Sequence, residues 1–119
     1  EQVRYKTYMT CDAETVLVAY GTCARIAQAA VDMARERGMK VGLFRPVSLW
    51  PFPYDALQST AAESLRVLTV EMSLGQMVED VRLAILESKP VHFYGRTGGM
   101  TPTPREVLDE IERIVEEGI

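Results

Sequence analysis

The sequence predicts an α/β fold: a three-layer α/β/α sandwich built around a mixed, mostly parallel sheet. Short apolar, β-branched runs alternate with longer amphipathic segments along the whole chain. The apolar runs are continuous rather than alternating, as in strands buried on both faces. The passage at 15–44 goes from strand through helix to strand in about thirty residues, the size of a βαβ unit, so its two strands should lie parallel.

Taken in order, YKTYM at 5–9 is ambiguous, its aromatic and β-branched content allowing an edge strand, an antiparallel one included. TVLVAYG at 15–21 is the first buried strand. TCARIAQAAVDMARERG at 22–38 places Cys23, Ile26, Ala27, Ala30, Met33 and Ala34 on one helical face. Arg25, Gln28, Asp32, Arg35 and Glu36 fall on the other. Thr22 is the expected N-cap and Gly38 the expected stop. KVGLF at 40–44 is the second buried strand. RPVSLWPFP at 45–53 should leave the sheet, because Pro46, Pro51 and Pro53 remove donors and fix φ. A short helix is expected at about 54–63. RVLTVEM at 66–72 is a third strand. The helix at 75–87 turns Met77, Val78, Val81, Ala84 and Ile85 inward, with Ser73 or Gly75 at its start. PVHFY at 90–94 is a fourth strand. The last helix runs from 104 to about 117, with Val107, Leu108, Ile111, Ile114 and Val115 on one face.

The 119 residues suffice for one domain with a real core and are too few for two ordinary ones, so 1–119 is read as a single domain. The chain begins at Glu1 without a starting Met and is expected to be a fragment of a longer subunit. Apolar residues make up 47% and charged residues 25%, and the net charge is -4, with no basic stripe to suggest a nucleic-acid partner. No apolar run approaches the ~18 residues of a membrane span, and no signal peptide shows. The two cysteines, Cys11 and Cys23, stand apart, and a single His cannot complete a zinc site with them. A reducing cytoplasm is the expected compartment.

In a mostly parallel sheet, function gathers at the carboxyl ends of the strands. Here that rim carries Gly21 and Thr22, Arg45 and Pro46, Glu71 and Gly75, and Gly95 and Arg96. HFYGRTGGMTPTP at 92–104 invites a phosphate-loop reading, but its glycines at 95, 98 and 99 meet neither G-x-G-x-x-G nor a P-loop. Thr103, Pro104 and Glu106 instead form a capping box that uses up the helix's free donors. Gly98 or Gly99 is expected only to shape the loop, and Arg96 beside it could hold an anion or a partner's carboxylate. Glu71 as a strand-end acid should hydrogen-bond a loop or a helix N-terminus rather than act as a catalyst, and Arg45 is a possible partner for it. His92 reads as a structural or interface imidazole. Cys23 lies in a helix's first turn, where the dipole could activate it, though a small buried thiol is the expected outcome. LWPFP at 49–53 forms a rigid apolar wedge that either folds back on the core or serves as an interface hot spot. No self-contained catalytic, cofactor-binding or metal site emerges.

Together, AYGTCARIAQAAVDMARERGMKVGLFRPVSLWPFP, VEMSLGQMVEDVRLAI and FYGRTGGMTPTPREVL resemble the 2-oxoacid:ferredoxin oxidoreductases. The match is to the carboxyl-terminal domain of the subunit that also carries the thiamine pyrimidine-binding domain, a domain similar to the C-terminal domain of transketolase. GQMVEDVRLA paired with FYGRTGGM looks most like the branched-chain type acting on 3-methyl-2-oxobutanoate (2-ketoisovalerate). The pyruvate and 2-oxoglutarate types share the architecture.

The resemblance implies a five-stranded mixed sheet with one antiparallel edge strand, for which YKTYM is the candidate. It implies an enzyme that uses thiamine diphosphate with magnesium to decarboxylate a 2-oxoacid. Electrons would pass through iron–sulfur clusters to ferredoxin, and an acyl-CoA would form. No position here matches the family's cofactor ligands, so this chain is expected to bind none of these groups and to be inactive alone. Its partners would be the thiamine pyrimidine domain of the same subunit and the other subunits, with ferredoxin and CoA serving the whole complex. Arg45, Trp50, Phe52, Glu71, Gln76 and Arg96 are the candidate interface or CoA-proximal residues. Two alternatives stand beside this assembly role. One is a free-standing nucleotide or CoA binder using Arg45, Arg96 and the loop after Gly95; the other is a thiol enzyme using Cys23.

Overall fold

Five strands and four helices alternate in the computed structural model, which describes residues 4–47, 52–71, 76–85, 89–95 and 102–118. The strands are β1 (Tyr5–Tyr8), β2 (Thr15–Val18), β3 (Val41–Pro46), β4 (Arg66–Glu71) and β5 (Val91–Gly95). The helices are α1 (Thr22–Glu36), α2 (Tyr54–Thr60), α3 (Gln76–Ile85) and α4 (Pro104–Glu117). They form one sheet in the order β1-β3-β2-β4-β5. β1 pairs antiparallel with β3, and every other pairing is parallel.

Side chains of a strand alternate between faces, and here that alternation sorts the core into two halves. Leu17, Leu43, Leu68 and Val70 face α1 and α4, where they pack with Ala27, Ala30, Val31, Leu108 and Ile111. Val16, Val18, Phe44 and Val67 face α2 and α3, packing with Phe52, Leu57, Met77, Val81 and Ile85. Because both faces are covered, β2 is buried at all four positions and β4 at all six. The alanines of α1 let that helix lie close to the sheet. Val115, expected on the inward face of α4, is 36% exposed, whereas its neighbour Ile114 is fully buried in the core.

Two local expectations are corrected. Thr22 does not cap α1. Gly21 occupies that position at φ 62°, a turn a β-carbon would resist, and Thr22 is already the first helical residue. Pro46 does not end the sheet; β3 includes it. The Phe44 carbonyl accepts from Ala19 N–H on the β2 side, so by alternation the position of Pro46 nitrogen also faces that side, beyond the end of β2. The missing N–H therefore leaves no ladder bond unmade, and Val47 N–H resumes pairing with Arg4 on the β1 side. The expected starts of α3 at Ser73 or Gly75, and the loop glycines Gly98 and Gly99, lie outside the described residues.

The β1–β2 connection crosses β3 closely. A β-carbon on Gly42 would stand 2.6 Å from the Met9 carbonyl oxygen and 2.9 Å from Thr10 Cα. Among the described residues no helix is long and apolar enough to cross a membrane.

Candidate functional site

At the carboxyl rim of the sheet, the acidic group turns inward. Glu71 is 1% exposed at the end of β4. Both of its carboxylate oxygens accept from Met77 N–H at 3.1 Å, and Oε2 also accepts from Val78 N–H at 3.1 Å. A strand-end carboxylate thus caps the first turn of α3 from outside the helix, where the unpaired N–H groups and the helix dipole favour a negative charge. Arg45 is not its partner. Arg45 follows Leu43 onto the α1–α4 face, Glu71 follows Val67 onto the α2–α3 face, and β2 runs between their strands.

The N-terminus of α4 is closed in a similar way. Thr103 Oγ1 accepts from Glu106 N–H at 3.1 Å, and Glu106 Oε1 accepts from Thr103 N–H at 2.9 Å. The capping box read from TPRE is therefore formed. At these two helix starts the N–H groups of Met77, Val78, Thr103 and Glu106 are taken by the protein's own side chains rather than left open to an anion.

Cys23 is buried in the first turn of α1. Burial pushes its thiol up, and the Glu71 charge pushes it further in the same direction. The group is held as a thiol, the opposite of what a nucleophile at neutral pH needs. His92 lies on β5 beside Leu68, with its Nε2 buried and without a hydrogen-bond partner among the described residues. Phe52 takes the first of the two roles open to LWPFP: it is 4% exposed and packs into the α2–α3 core. Trp50 and Arg96 lie outside the described residues, and Gln76 contributes the first backbone position of α3. Among the described residues no three His, Cys, Asp or Glu side chains gather as a metal site.

A family model for the pyruvate:ferredoxin oxidoreductase core domain II matches residues 13–107. The chain belongs to that family. Over 113 residues this core domain II chain is 44% identical to ketoisovalerate oxidoreductase subunit VorB of Methanothermobacter thermautotrophicus, covering 95% of the chain and 32% of the relative. To 2-oxoglutarate synthase subunit KorA of the same organism it is 35% identical, over 87% of the chain and 27% of the relative. The chain thus spans about a third of the length of the curated relatives it matches. The fold is shared with a 2-oxoglutarate:ferredoxin oxidoreductase from Magnetococcus marinus, solved with 2-oxoglutarate, coenzyme A and succinyl-CoA bound. The TM-score is 0.80 at 20% identity, over 95% of this chain and 19% of that one. A split-gene transketolase, described as an inactive beta4 tetramer, aligns with a TM-score of 0.79 at 21% identity, over 95% of this chain and 41% of that one. The five-stranded mixed sheet with its one antiparallel edge is the transketolase C-terminal-like architecture that the resemblance implied.

Sequence reasoning missed one organising residue of the core domain II chain. Arg35, assigned to the solvent face of α1, forms a clamp. Its Nε donates to Val41 O at 3.0 Å, Nη2 to Met9 O at 2.8 Å, and the guanidinium forks onto Asp12 at 2.7 and 3.2 Å. It fastens the β1–β2 connection to α1 and β3 at once. The only sequence signal was an Asp in a short connection, which names no partner.

Proposed function

We propose that this chain is the non-catalytic bracing and assembly domain of a thiamine-diphosphate-dependent 2-oxoacid:ferredoxin oxidoreductase. The whole enzyme would oxidatively decarboxylate 3-methyl-2-oxobutanoate to an acyl-CoA and reduce ferredoxin. The observation that carries the structural role is the closed rim: Glu71 takes the donors of α3, and Thr103 with Glu106 takes those of α4. At these two helix starts the N–H groups of Met77, Val78, Thr103 and Glu106 are already engaged, which gives a neighbouring domain a firm surface there. The substrate type is supported by the higher identity to the ketoisovalerate subunit than to the 2-oxoglutarate subunit of one organism. In this reading thiamine diphosphate, magnesium and the iron–sulfur clusters are held by other domains and subunits. The thiamine pyrimidine domain and the other subunits pack against the rim that carries Arg45, Glu71 and Gln76, and Trp50 and Arg96 are proposed to contribute to the same contact. Phe52 stiffens that surface from beneath. The two free cysteines are in keeping with a cytoplasmic enzyme.

Calorimetric titration of the chain with thiamine diphosphate and magnesium tests the role. No saturable heat is expected; micromolar affinity would overturn it.

A further inference from the structure

A groove of about 370 Å³ opens between β1 and the start of α2, lined among the described residues by Tyr5, Phe52, Pro53, Tyr54, Asp55 and Ala56. We propose that it receives the guanidinium of an arginine side chain presented by a partner polypeptide.

Three observations point to a cation. The walls are aromatic and already fixed. Tyr5 stacks on Phe44 at 5.3 Å and 17°, which holds its ring flat against the sheet while the residue remains 46% exposed. Tyr54 is tilted against Phe52 at 5.1 Å and 59° and is 38% exposed. Its hydroxyl donates to Asp80 Oδ1 of α3 at 2.6 Å, which pins the ring from its far end. Little side-chain entropy therefore remains to be lost when a guest enters.

The charge is of one sign. Asp55 lines the groove and is exposed, Asp80 stands behind Tyr54, and none of the described lining residues is basic. The nearest basic residues along β1, Arg4 and Lys6, alternate with Tyr5 and so leave the sheet on the opposite face. Electron-rich ring faces beside an unpaired carboxylate favour a cation over any phosphate-bearing ligand.

A planar guanidinium suits the arrangement better than an ammonium. It can stack on Tyr5 or Tyr54 while its edge forks onto Asp55. Exposed aromatic residues flanked by charge are also what an interface anchor meets.

The test is an NMR titration of the full chain, following the Tyr5 and Tyr54 rings and the Asp55 amide. The probes are the capped peptide acetyl-Gly-Arg-Gly-amide, its norleucine counterpart, and adenosine. The arginine peptide is expected to shift all three residues saturably. Asp55→Asn and Tyr5→Leu should each weaken it roughly three- to five-fold, while Tyr5→Phe should leave it unchanged. Asp55→Asn is an exposed surface change whose remaining spectrum reports an intact fold. Equal binding of the norleucine peptide, tighter binding of adenosine, no saturable shift at the groove, or indifference to Asp55→Asn would each overturn the proposal.

Discussion

Replacing Glu71 with Ala strips two buried N–H groups, those of Met77 and Val78, of the carboxylate they share. A buried donor left without a partner costs about 1–3 kcal/mol, so two of them set a gross penalty of about 2–6 kcal/mol. Removing a buried charge returns part of this, because its desolvation penalty disappears with it. A net loss of about 2–4 kcal/mol is expected, or roughly 10 °C in melting temperature for a chain of this size. Glu71→Gln keeps one acceptor oxygen and loses only the charge–dipole attraction and one bond, so it should cost about 1–2 kcal/mol. Urea unfolding of the two variants gives the ranking, and native-state hydrogen exchange reads the Met77 and Val78 amides directly. A second readout comes from Cys23, whose thiol is pushed up first by burial and then by the Glu71 charge. Glu71→Gln removes only the second cause. A Cys23 13Cβ titration should therefore move down part of the way and stay above the ordinary thiol value. An Ala variant costing under about 1 kcal/mol, unchanged amide exchange at Met77 and Val78, or an unmoved Cys23 titration would refute the reasoning.

Other expectations concern the frame of the fold. Gly42→Ala drives a methyl group against backbone at Met9 and Thr10, neither of which can swing aside as a side chain would, so about 3 kcal/mol should be lost in urea unfolding. Thr69 is fully buried, and its hydroxyl has no partner among the described residues, so the near-isosteric Thr69→Val should be neutral or stabilising by about 1 kcal/mol in the same assay. Arg35 holds the Asp12 carboxyl below its usual range. The stability this pair contributes is therefore present above the ordinary carboxylate value and is lost as pH falls through the lowered one. Melting temperature recorded from about pH 5 down to about pH 2 should fall more steeply for the wild type than for Asp12→Asn, and parallel curves would remove the clamp from the account.

The local periodicity of the sequence carried much of this fold. α4 runs over the span its spacing predicts because Val107, Leu108, Ile111 and Ile114 repeat at helical intervals and TPRE closes its start within four residues. β2, β3 and β4 were legible because both faces are covered, so each reads as an apolar run, whereas the edge strands β1 and β5 are only partly buried. YKTYM was open to an antiparallel edge strand, and its partner β3 and their register are what the structure adds. The extent of β3 was not legible, since Pro46 is tolerated only because β2 has already ended beside it.

By itself, the sequence determined where the buried strands and the four helices lie, much of which face α1, α3 and α4 turn inward, and that neither phosphate-loop fingerprint is present. All of these follow from residues within a turn or two of each other. Only the tertiary structure decided what the polar groups do. Arg35 reaches Met9 and Asp12 across 26 and 23 residues, and Tyr54 reaches Asp80 across 26. Glu71 and Arg45 part to opposite faces because strand order and pleat put them there. A helical or strand period records which side chains are buried together, but the partner of a charge is set by where distant backbone crosses, and no local spacing encodes that crossing.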